Sequence, residues 1–252
     1  MFLSKFSLKT PLQQNQLHLI LSQQVYGLHR LLKQAFNDSF YLFREEVIQS
    51  IGNNSQRLYY VLSTEEPKPN NDVFDVETKR FEPHLLVDQQ LEFRVRVNPV
   101  VARKTPGKKN SPRHDVVMDA QRQHLMNLLN ITDAFSVKNV KKSELKERVL
   151  TEVKGYTARD LDSELKTATE NALKTWLDNK AKKHGFECLS FQADGYQWQS
   201  LPEKDRRAGF STVDYQGILK VTEPQAFLAQ LYKGFGPSKA FGCGLMMIRP
   251  AW

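Results

Sequence analysis

Gly234-Phe235-Gly236-Pro237-Ser238-Lys239-Ala240-Phe241-Gly242-Cys243-Gly244-Leu245-Met246-Met247-Ile248 places four of the chain's 12 glycines and one lysine within eleven residues, then runs into an apolar strand. Glycine reaches positive φ and presents no Cβ, so successive N–H groups can turn toward an anion while Lys239 adds a point charge. Gly234, Gly236, Gly242, Gly244 and Lys239 are therefore candidate phosphate contacts. No Gly-Lys-Ser/Thr follows, which excludes a nucleotide P-loop, and the strand comes after the glycines rather than before them, which excludes a dinucleotide-binding turn. A plain glycine-rich surface loop is the alternative that composition leaves open.

Working back from this tail, Pro224 to Tyr232 has the spacing of a helix, 209–221 and 186–199 alternate as strands, and a helix near 170–183 and a strand at 91–103 precede them. With the tail strand at 245–249 the order is β-α-β-β-α-β, the ferredoxin-like split βαβ unit. The N-terminal part has the same order. Residues 1–9 alternate with Phe2, Phe6 and Leu8 on one face. A helix beginning between Gln16 and Ser22 follows, with Leu17, Leu21, Val25, Leu28, Leu32 and Phe36 on one apolar stripe, and it stops before Asn37-Asp38-Ser39. Strands at about 41–48 and 57–63 are joined by Gly52-Asn53-Asn54-Ser55, a hairpin-turn sequence. The polar stretch 65–75 reads as loop with a short helix near its end, and 80–87 as a further strand. The boundary falls near Asp88, giving domains 1–88 and 89–252. No sequence repeat relates the two halves.

At 252 residues the chain can form two small domains, each with its own core. A net charge of +8 and a pI near 9.4 suit a polyanionic partner without requiring one. No apolar run is long enough to span a bilayer, and the N-terminus lacks the h-region and cleavage site of a signal peptide, so a soluble, cytoplasmic protein with no membrane partner is expected. Cys188 and Cys243 are the only cysteines, which excludes a disulfide framework and a cysteine-based zinc site.

On the first helix Tyr26, His29, Arg30 and Lys33 fall within about 100° of arc, away from the apolar stripe. Folding does not require a phenol, an imidazole and two cations there, and Gly27 beside them costs about 1 kcal/mol of helix stability relative to alanine. A solvated face is the plain alternative. His18, His84, His114, His124 and His184 form no metal-ligand spacing, clustered carboxylates are missing, and there is no Gly-x-Ser-x-Gly elbow, so neither a metal nor a small-molecule cofactor is expected. Two basic segments are candidate phosphate contacts: 103–113, with Arg103, Lys104, Lys108, Lys109 and Arg113, and Lys204-Asp205-Arg206-Arg207 between two strands.

The glycine-rich tail resembles the C-terminal signature of the RAMP superfamily of CRISPR proteins, and within it the CasE family of precursor-CRISPR-RNA endoribonucleases of type I-E Cascade. Met1-Phe2-Leu3-Ser4-Lys5, Tyr26-Gly27-Leu28-His29-Arg30-Leu31-Leu32 and Phe93-Arg94-Val95-Arg96-Val97-Asn98-Pro99 agree with that family in order and spacing. The resemblance implies an α+β fold of two tandem ferredoxin-like domains; at about 119–168, in the second, the chain departs from the family pattern with a charged, helical insertion that compact members lack. Residues 138–183, which cover most of that insertion, hold twelve Lys/Arg and eight Asp/Glu, mixed as on solvated helices.

By the same resemblance His29 corresponds to the catalytic histidine and Tyr26 to a tyrosine that assists it. The family's arginine-bearing hairpin places Arg206 and Arg207 at the RNA stem. The implied reaction uses the ribose 2′-OH as nucleophile, without metal, and leaves a 2′,3′-cyclic phosphate. His29 can act as base or acid, Tyr26 can share the proton work or hold the ribose, and Arg30 or Lys33 can neutralise the phosphorane. The implied partners are CRISPR repeat RNA and the other Cascade subunits. An RNA-binding RAMP subunit that does not cut is the runner-up.

Overall fold

The computed structural model describes residues 1–10, 14, 27–36, 39–49, 55–68, 72–102, 112–133, 136–137, 139–201 and 209–251. Two compact units result: one contains 1–98 and 181–252, the other 99–180.

The first unit holds two four-stranded antiparallel sheets. Strands β1 (Phe2–Leu8), β2 (Tyr41–Gln49), β3 (Ser55–Ser63) and β4 (Phe74–Arg80) pair in the order β2-β3-β1-β4. Helix α1, described over 27–34, lies in sequence between β1 and β2. Alternation sorts the side chains by face. Phe6, Phe43, Tyr59, Val61 and Phe74 join Leu28, Leu31, Leu32, Ala35 and Phe36 in one buried core. Leu42 and Leu62, one residue out of phase, pack instead with Leu245. Ser4, fully buried among them, is satisfied by Thr78 at 2.9 Å.

The second sheet is β10-β5-β9-β8, built from β5 (Gln90–Val97), β8 (Phe186–Ser200), β9 (Gly209–Val221) and β10 (Met246–Pro250). Numbered within each half, both sheets read 4-1-3-2, so the fold is two tandem ferredoxin-like domains. Leu91, Phe93, Val95 and Val97 bury alternate positions of β5. Helix α5 (Pro224–Lys233) opens with proline, buries Phe227 and Leu231, and ends at Gly234 with φ 74°. Phe227 and Phe235 both pack on Phe186, with ring centroids 5.1 and 6.0 Å away.

The unit 99–180 contains β6 (Val100–Ala102), β7 (Arg113–Asp115), α2 (Val116–Leu128), α3 (Lys142–Glu152) and most of α4 (Ala158–Lys183). Asp115 caps α2 by accepting from Met118 N at 2.7 Å. Leu125, Met126, Val137, Leu145, Val149, Leu161 and Leu165 form this unit's own core. His124 meets Glu164 at 2.8 Å, linking α2 to α4.

Three expectations are corrected. The fourth strand is Phe74–Arg80 rather than 80–87, because pairing Leu8 with Phe74 and Phe6 with Val76 puts the apolar residues of β4 on the core face. Pro83 interrupts the expected segment, which leaves Leu86 and Val87 exposed. Strand β5 stops at Val97 rather than 103, since Asn98-Pro99 breaks the ladder and β6 pairs with β7. The short helix expected near the end of 65–75 falls in part on 69–71, outside the described residues. The expected insertion 119–168 lies inside the 99–180 unit, whose core is more than a pair of solvated helices needs. Its outer pairs, such as Lys146–Asp162 and Arg148–Glu152, add little to stability.

Leu145 is 0% exposed. Leu145→Ala should lower the unfolding free energy by about 2–5 kcal/mol in urea titrations. A loss below about 0.5 kcal/mol would place α3 at the surface.

Candidate active site

Helix α1 presents its residues to two environments. At 100° per residue His29 falls beside Phe36 at the margin of the buried stripe, whereas Arg30 and Lys33 turn outward and are exposed. His29 is thus half-buried, closer to the core than the solvent-facing arc expected for it. The first residue of β2 closes over it. Tyr41 Oη lies 2.8 Å from His29 Nδ1 and 3.2 Å from the His29 carbonyl oxygen. The Tyr41 ring stacks on Phe36 at 5.0 Å with 20° between planes, and Phe43 flanks it at 6.4 Å. Nothing in the local sequence marks Tyr41 as a partner of His29, because the contact depends on how α1 packs against β2.

This setting shifts both groups away from charge. Burial, reinforced by the positive charge of Lys33, lowers the His29 pKa below its ordinary 6.5, and burial raises the Tyr41 phenol. His29 is therefore neutral at physiological pH, and Tyr41 keeps its proton. Because the folded pKa is the lower one, the stability His29 contributes is complete above 6.5 and is lost as pH falls through the folded value.

The glycine-rich loop lies against the same strand. Gly234, Gly236, Gly242 and Gly244 all have positive φ, 74°, 74°, 79° and 96°. Two of them also leave room for side chains of β2. A Cβ on Gly234 would stand 2.7 Å from the Leu42 side chain, and one on Gly242 would stand 3.2 Å from the Phe43 ring. The loop is also stitched closed: Phe235 N donates to Gly244 O at 2.9 Å and Gly244 N to Arg96 O at 2.7 Å. Ser238, at φ 60°, holds a left-handed conformation that non-glycine residues seldom adopt, and Asn98 Nδ2 anchors its Oγ at 2.8 Å. Lys239 folds back to donate to the Lys233 carbonyl at the end of α5, and burial lowers its pKa. Cys243 is a buried free thiol pushed up to about 12 by its burial.

Beneath the loop, Arg44 of β2 is 7% exposed and reaches Asp214 of β9 at 3.2 Å, while Arg96 of β5 grips the same carboxylate at 2.9 Å. Glu46 takes the Arg44 Nε. These two carboxylates and two guanidiniums neutralise one another where burial makes an unpaired charge costly.

His29 thus meets β2 at Tyr41, and the loop meets the same strand at Leu42 and Phe43. Arg113 is exposed on β7, in the other unit. Tyr26, Arg103, Lys104, Lys108, Lys109, Lys204, Arg206 and Arg207 lie outside the described residues. A cavity of about 820 Å³, lined among others by Ile48, Tyr60, Phe191 and Ile248, includes neither His29 nor the loop. Among the described residues no group of three or more His, Cys, Asp or Glu is placed to hold a metal ion, and no helix is long and apolar enough to cross a membrane.

The sequence matches the CRISPR associated protein family over residues 1–250. The fold is similar to that of Thermus thermophilus Cse3 bound to an RNA representing a pre-cleavage complex, with TM-score 0.62 and 21% identity over 99% of this chain and 98% of that one. It is also similar to the CRISPR-associated protein Cas6e from Escherichia coli K-12, with TM-score 0.58 and 19% identity over the whole of both chains. A chain of a CRISPR RNA-guided surveillance complex in its pre-nicking state aligns over both full lengths with TM-score 0.56 and 16% identity. No match was found among curated proteins.

Two outcomes follow from this geometry. In an NMR titration His29 should titrate below 6.5, and Lys33→Gln, which removes a like charge, should raise its midpoint; an unmoved midpoint would contradict the electrostatic cause. Gly234→Ala, opposed by both its positive φ and Leu42, should cost about 1–3 kcal/mol in thermal or urea unfolding, and unchanged stability would mean the loop does not rest on β2.

Proposed function

The chain belongs to the CRISPR associated protein family, and from that premise we propose that it is an endoribonuclease that cleaves precursor CRISPR RNA at the repeat stem-loops without a metal ion. The observation that carries this reading is His29, a half-buried neutral imidazole clamped by Tyr41 with exposed Arg30 and Lys33 beside it. RNA brings its own nucleophile, so the protein needs a base, an acid and a stabiliser of negative charge. His29 takes the proton of a ribose 2′-OH. The 2′-oxygen bonds to the adjacent phosphorus, the bond from phosphorus to the 5′-oxygen breaks, and that oxygen leaves as a 5′-hydroxyl with a proton from Tyr26, or from solvent where Tyr26 instead holds the ribose. The other product ends in a 2′,3′-cyclic phosphate. Arg30 or Lys33 offsets the phosphorane charge, and Tyr26 shares the proton work or holds the ribose.

Two ferredoxin-like domains, 1–88 and 89–252, carry the RNA contacts in this reading. Lys204, Arg206 and Arg207, in the segment joining β8 to β9, grip the stem, while Arg103, Lys104, Lys108, Lys109 and Arg113 add phosphate contacts. Gly234, Gly236, Gly242, Gly244 and Lys239 line the backbone of the RNA in this reading. The glycines' packing on β2 and this contact are compatible, because a loop held rigid pays less ordering cost on binding. The Thermus protein named above is bound to RNA, and chains of this fold occur in a CRISPR RNA-guided complex. By the same reasoning the protein acts in the cytoplasm and keeps the cleaved hairpin as a subunit of Cascade.

His29→Ala should lower single-turnover cleavage of the cognate repeat by a factor of about 10²–10⁴ with binding nearly unchanged. Wild-type cleavage should persist in EDTA and leave a cyclic phosphate; a 5′-phosphate product would indicate metal chemistry. Neutralising Lys204, Arg206, Arg207 or Lys239 should weaken binding and reduce the slope of log K against log salt by about 1 each. Parental affinities and slopes would make these cations surface residues only.

A further inference from the structure

Tyr41 Oη stands within hydrogen-bond distance of two atoms of one residue, His29 Nδ1 at 2.8 Å and the His29 carbonyl oxygen at 3.2 Å. A phenol has one hydrogen. If it points to Nδ1, the imidazole proton must sit on Nε2, and the carbonyl oxygen faces the phenol's lone pairs without a proton between them. If it points to the carbonyl, Nδ1 must carry a proton and donate it to Oη. Only the second arrangement turns both close contacts into hydrogen bonds. It leaves Nε2, across the ring from Tyr41, without a proton.

We propose that Tyr41 is a positioning residue for the cleavage reaction, holding His29 in the Nδ1–H tautomer so that Nε2 is the nitrogen that accepts the 2′-hydroxyl proton. The role rests on the reading of His29 as the base given above. Three further features fit it. Burial keeps the phenol protonated, so it always has a hydrogen for the carbonyl. Stacking on Phe36 and contact with Phe43 fix the Tyr41 ring, so Oη has a defined place. The carbonyl that takes the Tyr41 hydrogen belongs to the helical turn that carries the imidazole, so one phenol fixes both backbone and side chain of His29. Free histidine in water prefers the opposite tautomer, with the proton on Nε2. The clamp therefore performs the task that a second residue performs for an orienting histidine elsewhere, here with a neutral partner instead of a carboxylate.

The test uses the full chain with ¹⁵N-labelled histidine at a pH where His29 is neutral, its signals assigned by their loss in His29→Ala. The parent should show a pyrrole-type Nδ1 and a pyridine-type Nε2. Tyr41→Phe keeps the ring that stacks on Phe36 and loses only the hydroxyl, so the fold should survive. Its His29 should shift toward the Nε2–H form. Single-turnover cleavage by Tyr41→Phe should fall on the order of tenfold, because a fraction of the ring still samples the competent tautomer, with repeat affinity unchanged. An Nε2–H tautomer in the parent overturns the proposal, as does an unchanged tautomer or an unchanged rate in Tyr41→Phe. If the parent does not cleave at all, the endonuclease reading falls and this role for Tyr41 falls with it. A parent that cuts while Tyr41→Phe cuts equally well overturns the role of Tyr41 alone.

Discussion

Strand β2 is an edge strand held from both faces, and the candidate site depends on that double hold. One face carries Tyr41 and Phe43 into the core beneath α1, where they meet His29 and Phe36. The other carries Leu42 against Leu62 and Leu245, and Arg44 against Asp214. An edge strand that presents unpaired backbone is a liability, and here the glycine-rich loop covers it at Leu42 and Phe43. Because alternate residues of one strand serve both contacts, shifting its register by one would send Tyr41 away from His29 and bury Arg44 in the apolar core.

The charges near β2 follow the same economy. Arg44 and Arg96 both pair with Asp214, and Arg44 also with Glu46, so these cations are committed to structure. The exposed cations of α1, Arg30 and Lys33, are differently placed. Lys33, after burial, also lowers the His29 pKa, so the positive charge beside the imidazole helps keep it neutral. In the proposed mechanism a base and a charge stabiliser come from adjacent turns of one helix, and a single phenol from β2 orients the base.

Much of the topology was legible because period-two and period-3.6 patterns are local. The order of strands and helices around Phe6, Phe43, Phe93 and Phe227 could be read without knowing what lay beside them. The failures are nonlocal. Phe74-Asp75-Val76 looks less like a strand than 80–87, and only its register opposite Leu8 and Phe6 decides for it. The 99–180 core is drawn from α2, α3 and α4, and no short window of mixed charge reveals that Leu125, Leu145 and Leu161 meet. In the site, His29 stood out by motif while Tyr41 did not, since an aromatic opening a strand is usually core and its hydroxyl finds His29 only after α1 docks. The tail glycines were legible as positions of positive φ, but sequence could not tell that Leu42 and Phe43 are what two of them accommodate.

The central claim is that the RNA supplies the nucleophile and the protein supplies the proton transfer. The most direct measurement is cleavage of a cognate repeat bearing a single 2′-deoxy substitution on the nucleotide whose hydroxyl would attack, compared with the all-ribose repeat at equal occupancy. The account predicts unchanged affinity and no cleavage at that linkage. Cleavage of the substituted repeat at the same position would show that water is the nucleophile and would contradict the account.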